Sequence, residues 1–121
     1  MKTHIRRFKL SDTFIEQYKD REVPWGPLGY VTFKRTYARR LSEFDEDATG
    51  TEEWFQTCRR VIEGMFEMQK QHVYRLGLEW NDQKAQRTAK NAYDRLFNLK
   101  WTPPGRGLWM MGTEFVNKRT A

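Results

Sequence analysis

Apolar residues recur at three- to four-residue intervals through the middle of the chain. Trp54, Phe55, Cys58, Val61, Ile62, Met65, Phe66 and Val73 fall on one face of a helix, and Arg59, Arg60, Glu63 and Lys70 on the other. Thr51, followed by Glu52 and Glu53, supplies a cap and negative charge for its first turn. The pattern predicts a helix from about Thr51 to Arg75, broken near Gly77. A second helix is predicted from Asn81 or Asp82 to Leu99, with Ala85, Ala89, Ala92, Tyr93, Leu96 and Phe97 facing inward. Its alanines permit close approach, so the two helices are expected to pack antiparallel with Cys58 buried between them.

The flanks are shorter. Ser11 is placed to cap a helix bearing Phe14, Ile15 and Tyr18 on one face and ending before Pro24. Pro24 to Gly29 reads as an ordered loop pinned by Trp25, and Tyr30 to Leu41 favours helix over strand. Glu43 to Gly50 reads as an acidic surface loop. Thr102-Pro103-Pro104-Gly105-Arg106-Gly107 breaks any helix, and the apolar run Leu108 to Met111 reads as one buried strand. A lone strand needs a partner, so this end of the chain is expected to be completed by another polypeptide.

At 121 residues and 38% hydrophobic content the chain is sized for one core, well supplied with aromatics. One cysteine excludes a disulfide-stapled module and a cysteine-based zinc finger. No run has the length of a membrane span, and no apolar stretch follows the basic N-terminus as in a signal peptide, so a cytoplasmic protein is expected. The net charge of +6 is uneven. Residues 1–40 carry ten Lys/Arg against four Asp/Glu, residues 41–80 four against nine, and residues 81–121 eight against three. An acidic middle folding back on basic ends explains this better than phosphate binding does.

Cys58 lies on the apolar face, where a small hydrophobe is the ordinary occupant. His4 and His72 lack partners at metal-ligand spacing, and no P-loop, nucleophile elbow or dinucleotide fingerprint occurs. Two segments suit phosphate contact. The glycines of Pro104-Gly105-Arg106-Gly107 would let backbone amides approach a ligand beside Arg106, although a plain turn with a solvated arginine fits as well. Lys34-Arg35-Thr36-Tyr37-Ala38-Arg39-Arg40 mixes four cations with an aromatic, as a small basic helical nucleic-acid-binding protein would, or as a solvated face would.

Taken in order, three segments resemble one enzyme family. Trp25 to Arg39, then Thr51-Glu52-Glu53-Trp54-Phe55 with Arg60-Val61-Ile62-Glu63-Gly64, then Thr102 to Thr113 are similar to the N-terminal part of monomeric, adenosylcobalamin-dependent (class II) ribonucleoside-triphosphate reductases. The resemblance runs from about Phe14 to Thr120 and implies a mainly α fold. Residues 1–101 would form the N-terminal helical domain, and 102–121 a loop and the first strand of the catalytic α/β barrel, completed by another chain or the rest of the enzyme. It implies thiyl-radical reduction of ribonucleoside triphosphates, with adenosylcobalamin bound by the remainder and electrons from a dithiol reductant such as thioredoxin. The family's first redox cysteine follows the stretch matched by Gly112-Thr113, beyond this chain, and Cys58 matches a non-catalytic helix position. This chain would then be structural and substrate-proximal, inactive alone, with Arg106, Gly107, Leu108, Gly112 and Thr113 as its substrate-binding residues. Pro104 and Gly107 replace the Ser and Asn common in relatives, leaving backbone contacts and Arg106 to serve the substrate.

Overall fold

Glu53 and Gln56 close a capping box, the Gln56 side chain accepting the Glu53 N–H at 2.8 Å, and the longest helix follows at once. In chain order the elements of the computed structural model are α1 (Asp12–Glu16), α2 (Pro27–Thr36), a single 3-10 turn (Leu41–Glu43), α3 (Trp54–Arg75), α4 (Asp82–Phe97) and α5 (Gly105–Met110). The structure describes residues 7–103 and 105–113, and only the backbone of Pro27, Gly105, Arg106 and Met110.

The two long helices form an antiparallel hairpin, as their periodicity predicts. Gly77, at φ +72°, takes the left-handed conformation that reverses the chain after α3, and the Asn81 side chain caps α4 by accepting the Lys84 N–H at 3.1 Å. Two bonds tie the start of α3 to the end of α4: Trp54 Nε1 donates to the Phe97 carbonyl at 3.0 Å, and the Tyr93 hydroxyl to the Phe55 carbonyl at 2.8 Å. Ala89, Cys58, Val61 and Ile62 are fully enclosed between them.

Shorter segments wrap α3. Glu67 and Glu63 accept the backbone N–H groups of Phe8 and Leu10 at 2.7 and 2.8 Å, holding residues 8–10 along the helix. Phe8 stacks on Phe66 and meets the edge of Trp80. After α1, Tyr18 packs edge-on against Tyr93 and Phe97. Its hydroxyl donates to Asp94 at 2.5 Å, and burial together with that carboxylate pushes its pKa up to about 12. The folded-state value lies above the unfolded one, so this contribution is intact below about pH 10 and is lost as pH rises from there through 12. Tyr18→Phe is therefore expected to flatten the alkaline limb of stability over that window, measured by urea unfolding at stepped pH. An unchanged limb would assign the effect to Tyr93, which burial also pushes up.

The structure corrects the sequence reading at four places. Leu108 to Met110 is helical and Met111 lies in the turn that follows: α5 covers Gly105–Met110, and the described residues contain no strand, only one antiparallel bridge between Arg40 and Thr51. A four-residue apolar run has no period to separate strand from buried helix, and a helix satisfies its own backbone without a partner strand. Secondly, α2 starts at Pro27, inside the predicted loop, because proline at the first helical position suits a fixed φ and a missing N–H. It ends at Thr36, short of Leu41. Thirdly, α3 is capped at Glu53 rather than Thr51, and Ser11 precedes α1 without a side-chain capping bond. Lastly, Arg60 and Lys70, placed on the face opposite the apolar stripe, are buried all the same.

Candidate functional site

Arg60 and Glu52 form an ion pair with side chains only 5% and 3% exposed. Removing both charges from water is costly, and such a pair persists when every donor and acceptor is matched. Here the match is complete on the cation. Arg60 Nε and Nη2 meet the two Glu52 oxygens at 2.9 and 3.1 Å. Its remaining N–H groups go to α5 and the turn after it: Nη2 to the Leu108 carbonyl at 2.6 Å, and Nη1 to those of Met111 at 2.7 Å and Trp109 at 3.3 Å. One side chain on α3 thus satisfies two of the carbonyls that α5 leaves unpaired at its C-terminus and one in the turn beyond it. Glu52 also accepts the Thr57 hydroxyl at 2.8 Å and the Arg39 N–H at 2.9 Å, which joins the stretch after α2 to the cluster.

Two glycines let the segment come this close. A Cβ at Gly112, whose φ is +78°, would stand 2.3 Å from the Arg60 carbonyl, and one at Gly64 2.5 Å from the Gly112 nitrogen. Both neighbours are backbone and cannot swing away. The turn leaving α5 therefore rests directly on the backbone of α3.

Four of the five expected site residues have described side chains or, for glycine, surroundings, and they line this contact. Gly107 accepts the Met111 N–H at the end of α5, Leu108 is buried and its carbonyl accepts from Arg60, and Gly112 and the buried Thr113 lie in the turn after the helix. The Arg106 backbone belongs to α5, while its side chain lies outside the described residues, as does Pro104. The glycines expected to free backbone amides for a phosphate lie in the first turn of α5. Sequence reasoning missed Glu52 and Arg60. Gly64 was the available signal: a glycine in mid-helix costs about 1 kcal/mol against alanine, so it marks a second buried stripe through Thr57, Arg60, Gly64 and Glu67.

The basic segment is largely occupied within the fold. Lys34 Nζ donates to the Thr51 and Glu52 carbonyls and pairs with Glu53 at 3.2 Å. Arg39 pairs with Glu43 at 2.5 Å and lays its guanidinium 4.0 Å from the centre of the Trp109 ring, a second hold on α5. Through these two pairs, Lys34 with Glu53 and Arg39 with Glu43, the acidic middle does fold back on the basic N-terminal part. Cys58 is enclosed, and burial, reinforced by the charge of Glu52, pushes its thiol well up, which suits a core residue and not a nucleophile.

Comparison with known proteins gives these features a setting. A probable adenosylcobalamin-dependent ribonucleoside-triphosphate reductase of Dictyostelium discoideum is 42% identical over 121 residues, covering 98% of this chain and 15% of the relative. The adenosylcobalamin-dependent reductase of Euglena gracilis is 38% identical over 93% of this chain and that of Lacticaseibacillus paracasei 38% over 98%, each matched over 15% of its own length. A solved B12-dependent (class II) ribonucleotide reductase superposes with a TM-score of 0.72 at 36% identity, over 88% of this chain and 14% of that one. The chain thus spans about 15% of the length of its curated relatives. With residues 10–113, the α1-to-Thr113 body just described, matching the ribonucleotide reductase alpha domain, the chain belongs to that family.

Proposed function

We propose that this chain is the N-terminal helical portion of an adenosylcobalamin-dependent ribonucleoside-triphosphate reductase, built to position the polypeptide that leads toward the substrate. The observation that carries this reading is the Arg60–Glu52 cluster, which fixes α5 and the Gly112–Thr113 turn at the end of the matched family region. Residues 1–101 act as a helical support and 102–121 as the link to the catalytic barrel, which a second chain or the rest of the same enzyme provides. Arg106, Gly107, Leu108, Gly112 and Thr113 lie nearest the nucleotide in this arrangement, with Arg106 offering a forked donor to a phosphate.

Adenosylcobalamin supplies the radical chemistry when bound, and this chain's described residues do not fit it. The cleft between α1 and α3 and the groove beside α2 are each about 400 Å³, too small for a corrinoid with its nucleotide tail. Cys58 is fully enclosed between α3 and α4, out of reach of a cofactor or a dithiol. Cofactor, redox cysteines and the docking of a dithiol protein such as thioredoxin belong to the remaining polypeptide. No helix among the described residues is long and apolar enough to cross a membrane.

The test is a chimera in which this chain replaces the matching 123-residue stretch of the Lacticaseibacillus paracasei reductase. The chimera is expected to reduce ribonucleoside triphosphates only with adenosylcobalamin and a dithiol present, and the chain alone to give no turnover. Arg106→Ala in the chimera is expected to weaken nucleotide affinity by about 1.5 to 3 kcal/mol, the worth of a charge-assisted hydrogen bond. Turnover by the isolated chain, or an inert chimera, would overturn the assignment.

A further inference from the structure

Like charges one turn apart on a helix repel, and α4 keeps such a pair, Lys84 and Arg87, without compensation. Both are exposed, as is Arg95 further along, and the exposed Thr88 and Asn91 lie between them. At 100° per residue these five positions fall within one arc of about 100°, turned away from the alanines that pack on α3. None of the three cations has a carboxylate three or four positions along the helix, and none pairs with one elsewhere among the described residues. The two acids of α4 are engaged: Asp82 accepts the Trp80 indole N–H at 3.3 Å, and Asp94 the Tyr18 hydroxyl. Lys34, Arg39, Arg59 and Arg60, by contrast, all meet carboxylates. The acidic middle of the chain therefore neutralises its N-terminal part and leaves the face of α4 positive.

Three features of the arc identify its occupant. It holds no apolar side chain, whereas a protein interface is built around an apolar core. For the same reason the rest of a larger polypeptide gains nothing by covering it and would have to strip water from unpaired cations, so the face stays open. It holds no aromatic ring, and single strands are gripped by stacking their bases on such rings. What it does hold, cations interspersed with a hydroxyl and an amide, is the set of side chains that contacts phosphate. Lys84 and Arg95 are about 16 Å apart along the axis, a length that covers about five phosphates of a duplex strand and exceeds the phosphates of any one nucleotide. We propose that the outer face of α4 docks the sugar–phosphate backbone of a nucleic-acid duplex, contacted by Lys84, Arg87 and Arg95 without regard to sequence. This binding is separate from nucleotide reduction and does not rest on it.

The full chain is titrated into a labelled DNA duplex of about 20 base pairs and followed by fluorescence anisotropy. The expected Kd is about 10 to 100 µM at 50 mM salt, with a log–log salt slope of about −3 for three phosphate contacts, so that 200 mM salt weakens binding about 40-fold. Replacing Lys84, Arg87 and Arg95 together by Gln, an equally good helix former, is expected to weaken binding at least tenfold and flatten the slope. A control chain with Lys19, Arg35 and Arg40, also exposed, replaced by Gln has the same net charge and is expected to bind as the wild type. An equal loss in the control would reduce the effect to net charge and overturn the assignment to α4. Tighter binding of a single strand than of the duplex, or displacement of the duplex by a lower charge concentration of polyglutamate, would also overturn it, the latter in favour of an acidic protein. The same titration on the chimera separates this proposal from the reductase reading. An active chimera whose duplex binding is absent, or is unchanged by the three glutamines, overturns the α4 surface alone, and an inert chimera that binds through it overturns the reductase reading alone.

Discussion

Arg60→Met is expected to destabilise the fold by about 3 to 5 kcal/mol, because it leaves the Glu52 carboxylate buried without its cation. It also takes the donors from the carbonyls of Leu108, Trp109 and Met111. Urea unfolding followed by tryptophan fluorescence gives the first quantity, and amide exchange over residues 108–113 shows whether α5 has come free. Adding Glu52→Gln should recover part of the loss, since the uncompensated charge is then gone while Thr57 and the Arg39 N–H keep an acceptor. Wild-type protection of α5 in Arg60→Met would show that apolar contacts alone hold it.

The second large effect is expected at Trp54. It is 4% exposed, packs against Trp25 and Phe33 at ring-centre distances of 4.8 and 5.3 Å, and bonds the end of α4 through its indole N–H. Trp54→Ala should cost about 3 to 5 kcal/mol, transfer and cavity terms together. Trp54→Phe keeps most of the ring packing and loses chiefly the bond to Phe97, about 1 kcal/mol. Thiol labelling of Cys58, one turn along α3 and enclosed in the wild type, reports the opening directly. Slow labelling in Trp54→Ala would show that the core closes over the gap.

These two residues mark what could be read from the sequence. Trp54 belongs to a stripe of eight apolar residues whose period specifies α3, its inner face and its pairing with α4, because helix and burial there follow from one local pattern. Arg60 lies on the same helix and its burial was not legible. A charged residue goes inside only when it is paired, and beyond nearby Glu52 the groups that complete the pairing of Arg60 are 48 to 51 residues away in α5 and the turn after it. The same distance hid the helical state of Leu108 to Met110, whose end is stabilised by a donor that no local window contains. Of the site, the family resemblance located the segment, and only the fold revealed what grips it.

The separation between Arg60 and α5 also sets an order of events during synthesis. The carbonyl of Leu108 is made 48 residues after the guanidinium it will bond, roughly 2 to 10 s later at a translation rate of about 5–20 residues per second. Phe97, the far anchor of the α3–α4 hairpin, is made before α5 begins. The nascent chain can therefore complete its hairpin while the Glu52–Arg60 pair is still open to water on the side that α5 will cover. Docking of α5 then expels that water and turns a hydrated ion pair into a sealed one, so the pair is enclosed only once α5 has arrived.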